Sequence, residues 1–246
     1  MLKMNCRALR ILTVFFVAAA IPAAVRGEGA AGEKPDGELE ALLERVDEAN
    51  SELISVKADV SYTRTIVLLD ESDSAAGTLA FKTPDMIHMA LGEPRNEEVY
   101  SDGSTWWLVD HDARQVEIYE AAEGDAVAEA SFLEFGYGSR TSSLRENYSI
   151  ELVAVESAEA EGDEEPGTVT MWRLRLEPLK DERPARFERM DVEITENLYL
   201  PETIILYESG GEIVQRFELK NIRMNEDIDD SRFVCDIPRR YRTVRP

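Results

Sequence analysis

Basic residues are scarce in this 246-residue chain, with 27 Lys and Arg set against 50 Asp and Glu for a formal charge of −23. Nucleic-acid binding needs basic side chains that displace counterions from phosphates, and adhesion to an anionic membrane by charge alone needs the same residues, so neither is expected. Histidine and cysteine are scarcer still, at two each. His88 and His111 lie in different segments, and neither has a second His or Cys at ligand spacing, so no zinc site is expected. Cys6 falls in the leader described below, which leaves Cys235 without a partner for an internal disulfide. Set among Phe233, Val234 and Ile237, Cys235 reads as a small buried apolar residue. A Gly-x-Ser-x-Gly elbow, a P-loop and a dinucleotide fingerprint are all missing. Asp70 to Ser74 alternates oxygen ligands in the manner of a calcium loop, but Ala75 stands at the sixth position and no Glu at the twelfth, so it reads as a hairpin turn. The acids Glu226, Asp227, Asp229 and Asp230 read as a loop in which Asp230 or Ser231 caps a turn before Phe233. No metal, cofactor or catalytic residue is expected. Carboxylates are so abundant that no glycosidase-like pair can be singled out.

What is present begins with an address. Lys3, Arg7 and Arg10 precede an apolar stretch from Ile11 to Val25 that ends among the small residues Ala23, Ala24 and Gly27, the order of a secretory signal. The stretch is shorter than the roughly 20 residues of a membrane-spanning helix. Cleavage after Gly27 leaves 23 basic against 50 acidic residues, a formal charge of −27. The expected organisation is a signal over 1–27, a Gly- and charge-rich linker over 28–37 and a single domain over 38–246.

Within that domain, Leu39, Leu42, Leu43, Val46, Ala49, Leu53 and Ile54 are spaced by three and four, which predicts an amphipathic helix with Asp36 near its cap. At Val56 the period changes to two, and Val56, Ala58, Val60 and Tyr62 share one face of a strand. Further strands are predicted at Thr78–Lys82, Met86–Leu91, Glu97–Ser101, Thr105–Val109, Gln115–Tyr119, Ser149–Val155, Thr168–Leu176, Phe187–Thr195, Glu202–Glu208 and Glu212–Ile222. The absence of a βαβ rhythm implies one antiparallel sheet or barrel. Asp125 to Asn147 interrupts the strands, and its apolar residues around Gly136 and Gly138 predict two short helices with a break, serving either as a cover for the sheet or as ordinary packing. Ala154 to Gly167 is acidic and reads as a solvated loop. Trp106-Trp-Leu-Val109 and Thr203-Ile-Ile-Leu-Tyr207 are apolar on both faces, which calls for a second covering layer or an apolar ligand.

The order of several short motifs carries a resemblance. Gly77-Thr-Leu-Ala-Phe-Lys-Thr-Pro84, Pro94, Tyr100-Ser-Asp-Gly-Ser-Thr-Trp-Trp-Leu-Val-Asp110 and Gln115-Val116 are followed by Leu174-Arg-Leu-Glu-Pro178, Leu200-Pro201, Leu219-Lys-Asn-Ile222 and a closing Phe233 to Pro238. Together they resemble LolA-type outer-membrane lipoprotein carrier proteins over about residues 38–242. The resemblance implies a mainly β (α+β) fold in which an antiparallel sheet curls into a half-open barrel, covered by the N-terminal helix and a short helical lid. It further implies a monomeric periplasmic carrier, with no nucleic-acid partner, that takes acyl chains of lipoproteins from an inner-membrane exporter to an outer-membrane receptor. By position it assigns Val60, Phe81, Ile87, Met89, Leu91, Trp107, Phe132, Leu133, Phe135, Leu174 and Val192 to the lipid-binding cavity, and Thr83, Gly136 and Gly138 to a lid and its latch. Thr83 stands where the best-studied members carry an arginine that tethers the lid, so a latch here is weaker or lies elsewhere. An envelope sensor on the same fold, a plain packed domain and a carboxylate-pair hydrolase remain as alternatives.

Overall fold

The computed structural model describes residues 35–120, 137, 140–159, 168–179, 187–208, 210–236 and 239–245, all within one unit spanning 34–246. Helix α1 (Pro35–Ser51) leads into β1 (Ser55–Ile66), β2 (Glu71–Lys82), β3 (Met86–Leu91), β4 (Glu97–Asp102), β5 (Thr105–Asp110) and β6 (Gln115–Glu120). Helix α2 (Thr141–Asn147) precedes β7 (Tyr148–Glu159), β8 (Thr168–Pro178), β9 (Phe187–Thr195), β10 (Pro201–Glu208), β11 (Ile213–Met224) and a short β12 (Arg242–Val244). The twelve strands form one open sheet in the order β12-β6-β5-β4-β3-β2-β1-β11-β10-β9-β8-β7. Every pairing is antiparallel except β12 with β6. Two meanders thus flank β1, and the β1–β11 pairing joins them.

Strands β1–β11 form where period-two alternation predicted them, mostly lengthened by a residue or two at their ends, and β12 is an addition. Four boundaries differ from expectation. Pro35 opens α1 inside the predicted linker, as suits a residue that lacks the N–H a helix start leaves unpaired. The helix ends at Ser51, before Ile54, because the chain turns there. The Asn225 side chain accepts from Ile54 N at 2.8 Å and donates to Glu52 O at 3.2 Å, leaving Ile54 60% exposed. The acidic stretch read as a loop from Ala154 continues as β7 to Glu159, paired residue by residue with β8. Likewise β2 begins at Glu71, so the turn read at Asp70–Ser74 is confined to Val67–Asp70, with Asp70 in the left-handed region at φ 53°.

Each face of the sheet has its own cover. The first face carries Val56, Ala58, Val60 and Tyr62, joined by Leu42, Leu43 and Val46 of α1 and Leu144 of α2 in the main core. Tyr137 lies in that core too, its hydroxyl donating to Pro201 O at 2.7 Å. Asp47 of α1 accepts from both the Thr141 N–H and its hydroxyl at 2.8 Å, so a carboxylate from one helix caps the first turn of the other. On the second face the C-terminal segment supplies a covering layer: Ile228 and Phe233 pack with Ala80, and Cys235 and Tyr241 pack with Val109, Val116 and Ile118. This layer answers the two-sided apolar character of Trp106–Val109. Lys82, the lysine of the K-x-P motif, holds the segment down by donating to Ile228 O at 3.0 Å and to the Asp230 carboxylate. The turn before Phe233 is capped by Asp229, whose carboxylate accepts from Ser231 N at 2.9 Å, in place of the expected Asp230 or Ser231. Across β8–β11 the second face instead bears ion pairs, among them Arg173–Glu193 at 2.8 Å and Arg175–Asp191 at 3.1 Å.

Candidate functional site

A cleft of about 520 Å³ opens on the first face, where β1, β3, β4, β5 and β11 present Tyr62, Met89, Leu91, Val99, Leu108 and Phe217 as an apolar floor. Cross-strand register builds that floor. Met89 pairs with Val99 and Val99 with Leu108, so three apolar side chains align across three strands. Tyr62 and Phe217 are paired across β1 and β11, their rings 4.9 Å apart. The rim is charged: Arg64, Arg95, Glu97, Asp110, Glu117 and Glu208 surround the opening. Arg95 binds Glu97 at 2.9 Å and stands over the Tyr62 ring at 5.4 Å. Burial, opposed by Arg95, pushes the Tyr62 phenol up to about 12.

The residues assigned to a cavity by resemblance divide into groups. Met89 and Leu91 line the cleft. Val60, Phe81, Ile87, Leu174 and Val192 lie in the closed core beneath α1, none more than 4% exposed. Trp107 points the other way: it pairs with Tyr100 and Ile118 and packs on the second face with Val109 and Val116. Its neighbour Trp106, 6% exposed, is the tryptophan that reaches the first face. The assignment of Trp107 is corrected accordingly, since alternation along β5 sends adjacent side chains to opposite sides. Phe132, Leu133, Phe135, Gly136 and Gly138 lie outside the described residues. At Thr83 the hydroxyl donates to Ile54 O at 3.2 Å and the N–H to the same carbonyl at 2.9 Å, ties to the start of β1. The floor residues Tyr62, Val99, Leu108 and Phe217 were not among those assigned by resemblance; alternation with polar neighbours is a signal for Tyr62 and Phe217, whereas Leu108, between Trp107 and Val109, has none.

The two histidines, unpromising by spacing, meet on one carboxylate of the second face. Glu98 accepts from His88 Nε2 and His111 Nε2, each at 2.8 Å, and from the Tyr100 hydroxyl. With its proton on Nε2, His111 accepts at Nδ1 from the Tyr241 hydroxyl at 2.8 Å, which anchors the C-terminal segment. Among the described residues no group of three or more His, Cys, Asp and Glu side chains is placed to hold a metal ion. The network instead stabilises charge: the His88 hydrogen bond, with those of Tyr100 and His111, holds the Glu98 carboxyl down at about 2 against burial. Cys235 nearby is half-buried, and burial, then the Glu98 and Asp236 charges, push its thiol up to about 11. A carboxylate depressed in the folded state stabilises the protein fully above its ordinary value of 4.5 and loses that contribution as pH falls toward 2. Between pH 5 and pH 2.5 this group is therefore expected to remove about 1 kcal/mol, after allowance for solvent screening. Urea midpoints compared with Glu98→Gln across that range measure it, the variant showing the smaller pH dependence.

The fold has counterparts among solved structures. An uncharacterized conserved protein from Thermus thermophilus superposes with a TM-score of 0.52 at 11% identity, over 85% of this chain and 99% of the other. A LolA superfamily protein from Nitrosomonas europaea gives 0.42 at 12% identity, over 80% and 97%. The lipoprotein LppX from Mycobacterium tuberculosis gives 0.40 at 13%, over 77% and 98%. No curated protein matches the sequence. At such identities the Thermus likeness shows the fold alone. The sequence itself is more specific, because the model of the outer membrane lipoprotein carrier protein LolA matches residues 66–236, from the end of β1 through the C-terminal covering layer, and with well over half of its length matched the chain belongs to the LolA family.

Proposed function

We propose that the cleft of the first face binds the acyl chains of a lipoprotein, or of a similar lipidated ligand, and that the protein is a non-enzymatic periplasmic carrier moving that cargo from an inner-membrane exporter toward an outer-membrane receptor. The observation that carries this reading is the apolar floor of Tyr62, Met89, Leu91, Val99, Leu108 and Phe217 in a cleft of about 520 Å³. That volume falls within the roughly 300–1,000 Å³ of small-molecule sites. Each acyl CH₂ withdrawn from water contributes about 0.8 kcal/mol, so a lipid chain crosses an aqueous compartment only inside such a surface. Membership of the LolA family supports the same reading. The leader-like N terminus supports export. The packed residues Val60, Phe81, Leu174 and Val192 then act as the wall behind the floor, within the core that also holds Tyr137 and residues of α1 and α2.

Leu108 is the residue with which to test it, since it lines the cleft while remaining half-buried. Leu108→Asp is expected to weaken binding of a fluorescent palmitoyl probe by at least about tenfold, because a carboxylate replaces an apolar contact worth roughly 1.5–3 kcal/mol. Titration with the probe, alongside circular dichroism to confirm folding, makes the measurement. A wild-type protein that takes up no probe, or a folded variant that binds it unchanged, overturns the proposal.

A further inference from the structure

The hairpin between β1 and β2 ends in an apolar turn that nothing among the described residues covers. Val67, Leu68 and Leu69 are 50%, 76% and 62% exposed, the one run of three consecutive exposed large apolar residues among those described. The turn is built rather than frayed. Val67 N donates to Glu212 O at 2.9 Å, Asp70 N closes back on Val67 O at 3.3 Å, and Asp70 takes the left-handed conformation that ends the turn. Backbone bonds therefore hold three bulky side chains outward, and such a run on a water-soluble surface is costly unless it meets an apolar partner.

Its position says which partner. Tyr62 and Arg64 of β1 line the cleft, and Ile66, two residues on, is the last of the strand before the turn. On the neighbouring hairpin, Glu208 and Gln215 line the cleft, and Ile213 pairs with Ile66. The apolar turn thus stands at the end of the sheet where the cleft opens. Its polar neighbours Asp70, Glu71 and Glu212 are acids. They repel an anionic surface and leave a neutral one. We infer that Val67-Leu68-Leu69 is a membrane-contact tip, which dips into the interface of a bilayer of uncharged net headgroup and brings the mouth of the cleft against it. The tip is distinct from the cleft and does not depend on what the cleft holds.

The test uses the full chain and a local reporter. Leu68→Trp is expected to show a blue-shifted emission, over the wild-type tryptophan background, when phosphatidylcholine vesicles are added. Vesicles with bromine on the acyl chains are expected to quench it. Leu68→Asp is expected to lower the vesicle-bound fraction, with a partition coefficient reduced about tenfold or more. Adding phosphatidylglycerol at low salt is expected to weaken binding further through the flanking acids. Because Leu68 is exposed, both variants keep the fold, and unchanged palmitoyl-probe binding by Leu68→Asp separates this result from a failure of the cleft. An unshifted, unquenched emission from the Leu68→Trp variant, equal partition of Leu68→Asp and wild type, or loss of a wild-type dimer in the Leu68→Asp variant without any vesicle effect would each overturn the inference, the last by making the tip a contact between copies.

Discussion

Replacing Gly77 with alanine is expected to destabilise the protein by about 3 kcal/mol and lower its melting temperature by roughly 6–12 °C. Gly77 lies in β2 opposite Leu91, in the strand pair that forms one side of the cleft. A Cβ added there would stand 2.1 Å from Ala90 O and 2.9 Å from Leu91 Cδ2. The leucine can rotate away, but a backbone carbonyl in the ladder cannot, so β2 and β3 must separate at the point where Thr78 pairs with Ala90. The cost belongs at the upper end of the overpacking range for that reason. This close approach also accounts physically for the glycine that opens the G-x-L-x-x-K-x-P motif. A thermal melt measures the effect, and Gly37→Ala provides its control. Gly37 lies in α1 with nothing within 4 Å of where a methyl group would sit, so there alanine is expected to stabilise by about 0.5–1 kcal/mol. Equal behaviour of the two variants would show that the β2–β3 contact is looser than its geometry implies.

Phe81→Ala is expected to cost about 3–5 kcal/mol while changing palmitoyl-probe affinity by less than about threefold in whatever fraction remains folded. Phe81 is 2% exposed, its ring 5.8 Å from that of Tyr137, and its strand neighbours Val56 and Ile87 are buried with it. Removing the ring empties a space bounded by β1, β3 and the covering Tyr137, whose own hydroxyl is fixed to Pro201 and cannot follow. Urea denaturation with parallel probe titration separates the two effects. A small stability change accompanied by a large loss of affinity would place Phe81 in the ligand's path instead of the wall behind it.

Much of this architecture was legible in advance because runs of apolar and β-branched residues at period two, bounded by turn residues, are a direct imprint of a sheet. Met86–Leu91 and Phe187–Thr195 were bounded correctly on that basis alone. The failures share a cause: contacts made at long range leave little local trace. β12 has three residues in an arginine-rich tail, and only its parallel pairing with β6 makes it a strand. The meeting of His88, Glu98, His111 and Tyr241 depends on register across β3, β4 and β5 and on the return of the C terminus. At Trp106-Trp107 both side chains are apolar, so pattern has no preference between faces. Register does: Ile87 pairs with Ser101 and Ser101 with Trp106, which fixes Trp106 on the first face. Two of the six floor residues had been named in advance. Met89 and Leu91 followed from resemblance, whereas Val99 and Leu108 required knowing which strands lie side by side. The Val67–Leu69 tip was not legible, since a short apolar run looks alike whether it is buried or exposed.

A sheet that does not close has two margins, and here they differ in sign. β7 presents exposed Glu151 and Glu156 along one margin, while β12 brings exposed Arg242, followed by Arg245, to the other. Two copies meeting through the same margin face like charges, acid against acid or arginine against arginine. Opposite margins attract, but β12 offers only three residues for pairing, too short a template for a stable ladder. Charge thus guards against one mode of polymerisation and strand length against the other, so the sheet can stay open without recruiting its own kind.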